Sequence, residues 1–186
     1  MRHLDEIIVH CSATNANWAH TKPLDWKVAE IRRWHLQRRF NDIGYHYIID
    51  RDGTYQTGRD IGRTGAHVRG HNTSTVGICL LGGYGSNEKD DFSDHFTKAQ
   101  DKTARELIAK LQAKYPTIEK VSGHNQYAAK ACPGFHVPTW MASKPMPKKD
   151  PPKPKRDDGP DNEAHWVLST IWMGIKALLD SMKGQK

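Results

Sequence analysis

Ile7, Ile8 and Val9 stand consecutively between Glu6 and His10, an unbroken β-branched run that suits a strand covered on both faces. From Asp25 to Arg38 the spacing changes. Val28, Ile31, Trp34 and His35 recur at helical intervals, with Lys and Arg on the opposite side. Gly44 to Asp50 reads as a strand, Arg51-Asp52-Gly53-Thr54 as a turn, and Tyr55-Gln56 as the strand that follows it. Val76 to Leu81 is a second buried strand, closed by Gly82-Gly83. The helix with the clearest signals spans Thr97 to Tyr115: Thr97 and Gln100 form a capping pair, and Ala104, Leu107, Ile108 and Leu111 make the core stripe. Lys120 to Gly123 predicts a short strand. Strands interleaved with two long helices predict an α/β domain, a sheet with helices packed on it.

After Trp140 the pattern breaks. Residues 141–163 contain six prolines among Lys, Arg and Asp, the composition of a solvated, semi-extended linker. From Ala164 to Met182 helical spacing returns: Val167, Leu168, Ile171, Trp172, Ile175, Leu178, Leu179 and Met182 share one arc, although Trp166 and Met173 fall opposite. The expected organisation is therefore a folded domain over 1–140, a linker over 141–163 and an amphipathic helix over 164–186. The helix has two readings, one packing on the domain or self-associating, the other lying in a membrane interface.

Charge and cysteine content narrow the classes. The net charge of +7 divides almost evenly about Trp140, so no segment concentrates a nucleic-acid patch. Mild positive charge suits an anionic polymer or membrane surface without identifying it. Three cysteines, an odd number, argue against a disulfide framework. A strand begins almost at once, so no secretory leader is expected, and no apolar run reaches spanning length. The cysteine count fits synthesis in a reducing compartment, and the expected state is a monomer.

Candidate chemistry comes from three segments. His10 ends the first strand, His124 follows Gly123, and Cys132 lies eight residues further on at loop spacing. Two imidazoles and one thiolate make a hydrolytic zinc set that leaves a fourth position for water. Against this, a strand-end histidine is ordinarily just hydrogen-bonded, and a lone cysteine is ordinarily a small core residue. His35 and His46 read as structural, Cys11 and Cys79 as buried thiols, Trp34 as core, and Trp18 as a loop residue, with a place at the edge of a groove as its lesser reading.

The order and wording of the segments bring in a resemblance. IIVHCSAT (7–14), IRRWH (31–35), DIGYHYIIDRDGT (42–54), GRD (58–60), GAHVRGHN (65–72), VGICLLGG (76–83), FTKAQ (96–100) and GHNQYAAKACPGF (123–135) cover nearly all of residues 6–140. In this order they resemble the type 2 N-acetylmuramoyl-L-alanine amidases, which include the peptidoglycan recognition proteins, and within them the small amidase endolysins of tailed coliphages. The resemblance implies a single central mixed β-sheet flanked by helices. It implies zinc held by His10, His124 and Cys132, an active-site tyrosine at Tyr45, a catalytic lysine at Lys130, and a substrate or supporting role for His67. The implied substrate is peptidoglycan, cut between N-acetylmuramic acid and L-alanine for host lysis, with release to the wall after a holin acts. Three other functions stay open: a non-catalytic wall-binding module, which retention of Cys132 disfavours; a recycling amidase acting on soluble fragments; and inhibition of a phage RNA polymerase, which the short stretch ahead of the first strand disfavours.

Overall fold

The computed structural model describes residues 2–146. The chain runs β1 (Glu6–Cys11), α1 (Leu24–Gln37), β2 (Tyr47–Ile49), β3 (Tyr55–Thr57), β4 (Thr75–Leu80), α2 (Phe92–His95), α3 (Lys98–Lys114), β5 (Lys120–Gly123), a 3₁₀ turn (His124–Gln126) and α4 (Val137–Ala142). One five-stranded sheet has the order β3-β2-β4-β1-β5. β1 pairs in parallel with both β4 and β5, β2 pairs in parallel with β4, and β3 turns back antiparallel on β2. The sheet is thus mixed, as the resemblance implies.

Every residue of β1 and β4 is buried, the expected state of central parallel strands with both faces covered. Ile7, Val9 and Cys11 alternate towards one face, where they meet Val76, Ile78, Leu80, Ile49 and the α3 stripe of Ala104, Leu107, Ile108 and Leu111. Thr97 caps α3 as its spacing predicts: its side chain accepts from the Gln100 N–H, and the Gln100 side chain accepts from the Thr97 N–H. On the other face Val28 and Ile31 of α1 pack with Ile43, Ile48, Cys79 and Leu81. That cluster draws on β2 and β4 but includes no residue of β1 or β5. The half of this face carrying His10 is therefore left to other segments, and this asymmetry makes room for a site.

Four features depart from the sequence pattern. The strand expected over 44–50 is ladder-paired only over Tyr47–Ile49. Ahead of it the backbone is spent elsewhere: the Gly44 N–H donates to His35 Nδ1 (2.8 Å), the Gly44 carbonyl accepts from Ala66 (3.0 Å), and the His46 N–H donates to the Gly77 carbonyl (2.9 Å). The four-residue α2 was not legible, being too short for a periodic signal. It is fixed by packing of Phe92, which stacks on Trp140 at 5.2 Å and 7°. Packing also continues beyond Trp140. The buried Asp101 carboxylate accepts from Trp140 Nε1 (2.6 Å), Arg105 (2.8 Å) and the Met146 N–H (2.8 Å), while the Arg105 guanidinium lies 4.6 Å over the Trp140 ring. The rest of the expected linker and the 164–186 helix lie outside the described residues. No helix among the described residues is long and apolar enough to cross a membrane.

The fourth departure is on α1. Lys27, expected on the polar side, is buried and pairs with Asp50 at 2.6 Å, the side chains 8% and 9% exposed. Asp50 follows β2 directly, so this ion pair ties α1 to the end of the sheet. Replacing one partner strands a buried charge, whereas replacing both does not. Lys27→Met or Asp50→Leu should each lower unfolding free energy by about 3–5 kcal/mol in urea titration, and the two together should cost less than the sum of the single changes. Additive losses would mean the pair contributes nothing as a pair.

Candidate metal centre and active site

His10 is the fifth residue of β1 and turns, with Ile8, to the face that α1 leaves open. β5 runs parallel to β1 with Gly123 opposite Val9, so the chain leaves β5 beside His10 and His124 opens the 3₁₀ turn there. The two imidazole rings are 4.8 Å apart. The loop then returns Cys132, joined to Pro133 by a cis peptide bond, to the end of β1, where its Sγ accepts the Cys11 N–H at 3.3 Å. The anchors of this loop are the Asn125 amide on the Phe135 carbonyl (3.2 Å) and the Gly134 N–H on the Ala131 carbonyl (2.6 Å).

Three side chains thus converge. One ligand atom from each of His10, His124 and Cys132 lies within 4.8 Å of the others. His10 Nδ1 is 3.8 Å from Cys132 Sγ. Two ligands on one tetrahedral zinc, at about 2.1 Å for nitrogen and 2.3 Å for sulfur, stand roughly 3.6 Å apart, so this donor set fits the ion. Both histidines are held neutral, the form a metal needs: burial first, then neighbouring imidazoles, push His10 well below its usual range, and burial followed by the Lys130 charge lowers His124. A hydrogen bond shared with Cys11, then burial, raises the Cys132 thiol, so a cation must displace its proton to bind.

Around this centre the structure brings in Tyr45 and Lys130 on different terms. Tyr45 is half-buried, its ring 5.2 Å from both His10 and His35. Burial raises its hydroxyl well above the ordinary value, so it stays a proton donor at neutral pH. Lys130 is exposed on the loop two residues before Cys132, close enough for its charge to depress His124.

His67 is placed otherwise than a groove-lining residue. It is 8% exposed, and its Nδ1 lies 3.1 Å from His10 Nε2, on the side of the His10 ring away from Cys132. Burial, then His46, His124, Arg2 and Arg59, hold it at about 3. At that depth it faces the His10 ring. The signal that could have revealed this is two glycines, Gly65 and Gly77: a Cβ on either would sit 2.5 or 2.6 Å from the His67 ring. His35 and His46 are satisfied core residues, accepting from the Gly44 and Gly77 N–H groups at 2.8 and 2.9 Å. Cys11 and Cys79 are buried thiols. Trp18 leans on Trp34 (5.1 Å) and Trp26 (6.3 Å) and lines a cavity of about 280 Å³ with Thr14, Lys27 and Arg51.

Comparison with known proteins identifies relatives of the chain. The chain is 42% identical over 135 residues to the endolysin of Klebsiella phage KP32, covering 73% of this chain and 83% of that protein. It is 41% identical over 136 residues to the endolysin of Escherichia phage T7, covering 73% and 84%. Among solved structures it superposes on the N-acetylmuramoyl-L-alanine amidase LysC from Clostridium intestinale with a TM-score of 0.61 at 25% identity, covering 76% of this chain and 85% of that one. It also superposes on a tyrosine-to-phenylalanine mutant of Drosophila PGRP-LB in complex with tracheal cytotoxin, with a TM-score of 0.62 at 28% identity, covering 78% and 83%. The family profile described as N-acetylmuramoyl-L-alanine amidase matches residues 1–135, and the chain belongs to that family.

Proposed function

We propose that this peptidoglycan amidase is zinc-dependent, with the ion held by His10, His124 and Cys132 and with Tyr45 and Lys130 acting on the reacting amide. The observation that carries the reading is the convergence of two imidazoles and one thiol within 4.8 Å at the end of β1. A bound zinc ion would supply Lewis-acid polarisation of the amide carbonyl and bring the pKa of a water towards neutral. The scissile bond is the amide between the lactyl group of N-acetylmuramic acid and L-alanine. Water adds its oxygen to the carbonyl carbon, the C–N bond breaks, and the amine of L-alanine leaves with a proton.

The residues of the chain then have separate tasks. The Tyr45 hydroxyl, kept protonated by burial, donates a hydrogen bond to the carbonyl oxygen as negative charge develops there. Lys130 presents an ammonium at the rim, suited to the same oxygen or to protonating the leaving amine. The buried face behind His10 keeps bulk water from the inner side of the site. The endolysin relatives and the PGRP-LB complex with tracheal cytotoxin support a wall polymer as substrate and lysis of a host from within as the setting.

With purified sacculi, release of new L-alanine amino termini should stop on chelation and return with zinc, and Cys132→Ser should be inactive and weak in zinc binding; full activity in Cys132→Ser would remove the metal reading. Tyr45→Phe and Lys130→Met should keep zinc affinity while kcat falls on the order of 10²–10³. An unchanged kcat in either variant would strike that residue from the chemistry. For the tail, we propose a membrane-contacting role for 164–186 that is separate from hydrolysis. A chain ending at Met146 should digest sacculi at the full rate but lose binding to anionic vesicles. A chain ending at Trp140, stripped of the Met146 and Ser143 bonds to Asp101 and Arg105, should melt lower by roughly 2–4 °C per kcal/mol lost. Loss of wall hydrolysis in the chain ending at Met146 would place the tail in the catalytic unit.

A further inference from the structure

We propose that His67 is a positioning residue that fixes the tautomer of His10, so that His10 presents Nδ1, and only Nδ1, to the metal. A short relay of hydrogen bonds, starting at Thr75, assigns the protons without reference to a metal. The Thr75 hydroxyl lies 2.5 Å from the His71 carbonyl, which can only accept, so the hydroxyl hydrogen points there. Thr75 Oγ1 therefore faces His67 Nε2, 3.4 Å away, as an acceptor, and His67 carries its proton on Nε2. The Nδ1 of a neutral His67 is then a bare acceptor 3.1 Å from His10 Nε2. His10 must donate from Nε2, which leaves its Nδ1 lone pair directed to the side where Cys132 Sγ stands at 3.8 Å. The His71 carbonyl, four residues before β4 begins, thus sets the proton positions of two buried imidazoles in turn.

The surroundings are built for this arrangement. His67 lies flat over Gly77, the residue opposite Ile8, where a Cβ would meet its ring at 2.6 Å, and Gly65 clears the same ring on another side at 2.5 Å. The Asn72 side chain holds the backbone by accepting from the His67 and Val68 N–H groups at 2.8 and 2.9 Å. His46 bounds the slot, with ring centroids 5.7 Å apart, and is itself fixed by the Gly77 N–H. Substitution of a partner that orients a metal-bound histidine typically weakens metal affinity by roughly 10–100-fold. The part of the inference that concerns affinity rests on the zinc reading above; the part that concerns the proton does not.

The test separates the two. In metal-free protein, long-range ¹H–¹⁵N spectra of the imidazoles should show His10 with a protonated Nε2 and a bare Nδ1. His67→Leu, which has no acceptor, and Thr75→Val, which frees His67 Nε2, should both convert His10 to a mixture of tautomers. His67→Asn, whose Oδ1 can stand in for Nδ1, should restore the wild-type pattern. Zinc competition with a chromophoric chelator should give a Kd weakened roughly 10–100-fold in His67→Leu and only a few-fold in His67→Asn. Melting of the metal-free variants checks the fold, and Thr75→Val carries the test if His67→Leu does not fold. A wild-type His10 protonated on Nδ1, or an unaltered His10 tautomer in both His67→Leu and Thr75→Val, overturns the proposal. Should Cys132→Ser also leave zinc affinity unchanged, the zinc reading fails while the proton assignment stands or falls on the spectra.

Discussion

The pairing of β1 with β4 on one side and β5 on the other is the constraint on which the site depends. The register is set by burial: a slip of one residue would turn Ile7, Val9 and Cys11 away from the α3 core and drive His10 into it. With the register held, His10 stands on the half of the face that α1 leaves open, and β5 delivers His124 beside it without any long connection. Two of the three proposed ligands are therefore placed by backbone hydrogen bonds between neighbouring strands. Only the third depends on a loop.

A face carrying four buried imidazoles raises the question of what keeps them from competing for protons. Burial answers most of it. His35 and His46 are held at about 4 and His67 at about 3, in each case mainly because the interior disfavours the charged form, so none of them titrates at working pH. Each then has one donor and one acceptor nitrogen, and each acceptor has a dedicated partner: Gly44 N–H for His35, Gly77 N–H for His46, and His10 Nε2 for His67. Neutrality leaves each ring one proton, and the hydrogen-bond partners then decide which nitrogen carries it, which for His10 is the assignment proposed above.

How much of this was legible in the sequence follows from the range of the interactions. Local patterns were readable: the apolar runs of β1 and β4, the Thr97–Gln100 cap and the α3 stripe all involve residues within one element. The Gly44 to Asp50 strand was read too long because its first residues bond to His35, Ala66 and Gly77, which no local pattern contains. Lys27 was assigned to solvent because a helix face cannot show that Asp50 waits beneath it. The metal-ligand set was only one reading among blander ones until a resemblance ordered the segments, since 122 residues separate His10 from Cys132. The link between His10 and His67 was missed for the same reason, although Gly65 and Gly77, spacers for an imidazole, were in plain view.

The placing of a cysteine as the third proposed ligand has a structural logic in the ladder itself. In a parallel strand successive N–H groups point to alternate neighbours. The Ser12 N–H bonds to the Leu80 carbonyl on the β4 side, so the Cys11 N–H faces the β5 side. There the ladder has already ended, at Val9 opposite Gly123. A buried N–H without a partner is costly, and Cys132 Sγ occupies the missing rung at 3.3 Å. The Cys11 N–H offsets only part of what the Cys11 side chain and burial do to hold Cys132 as a thiol, so it anchors the sulfur rather than ionising it. The same chain departure that ends β5 and presents His124 thus vacates the position that Cys132 fills, and two of the three proposed ligands follow from the early ending of one strand.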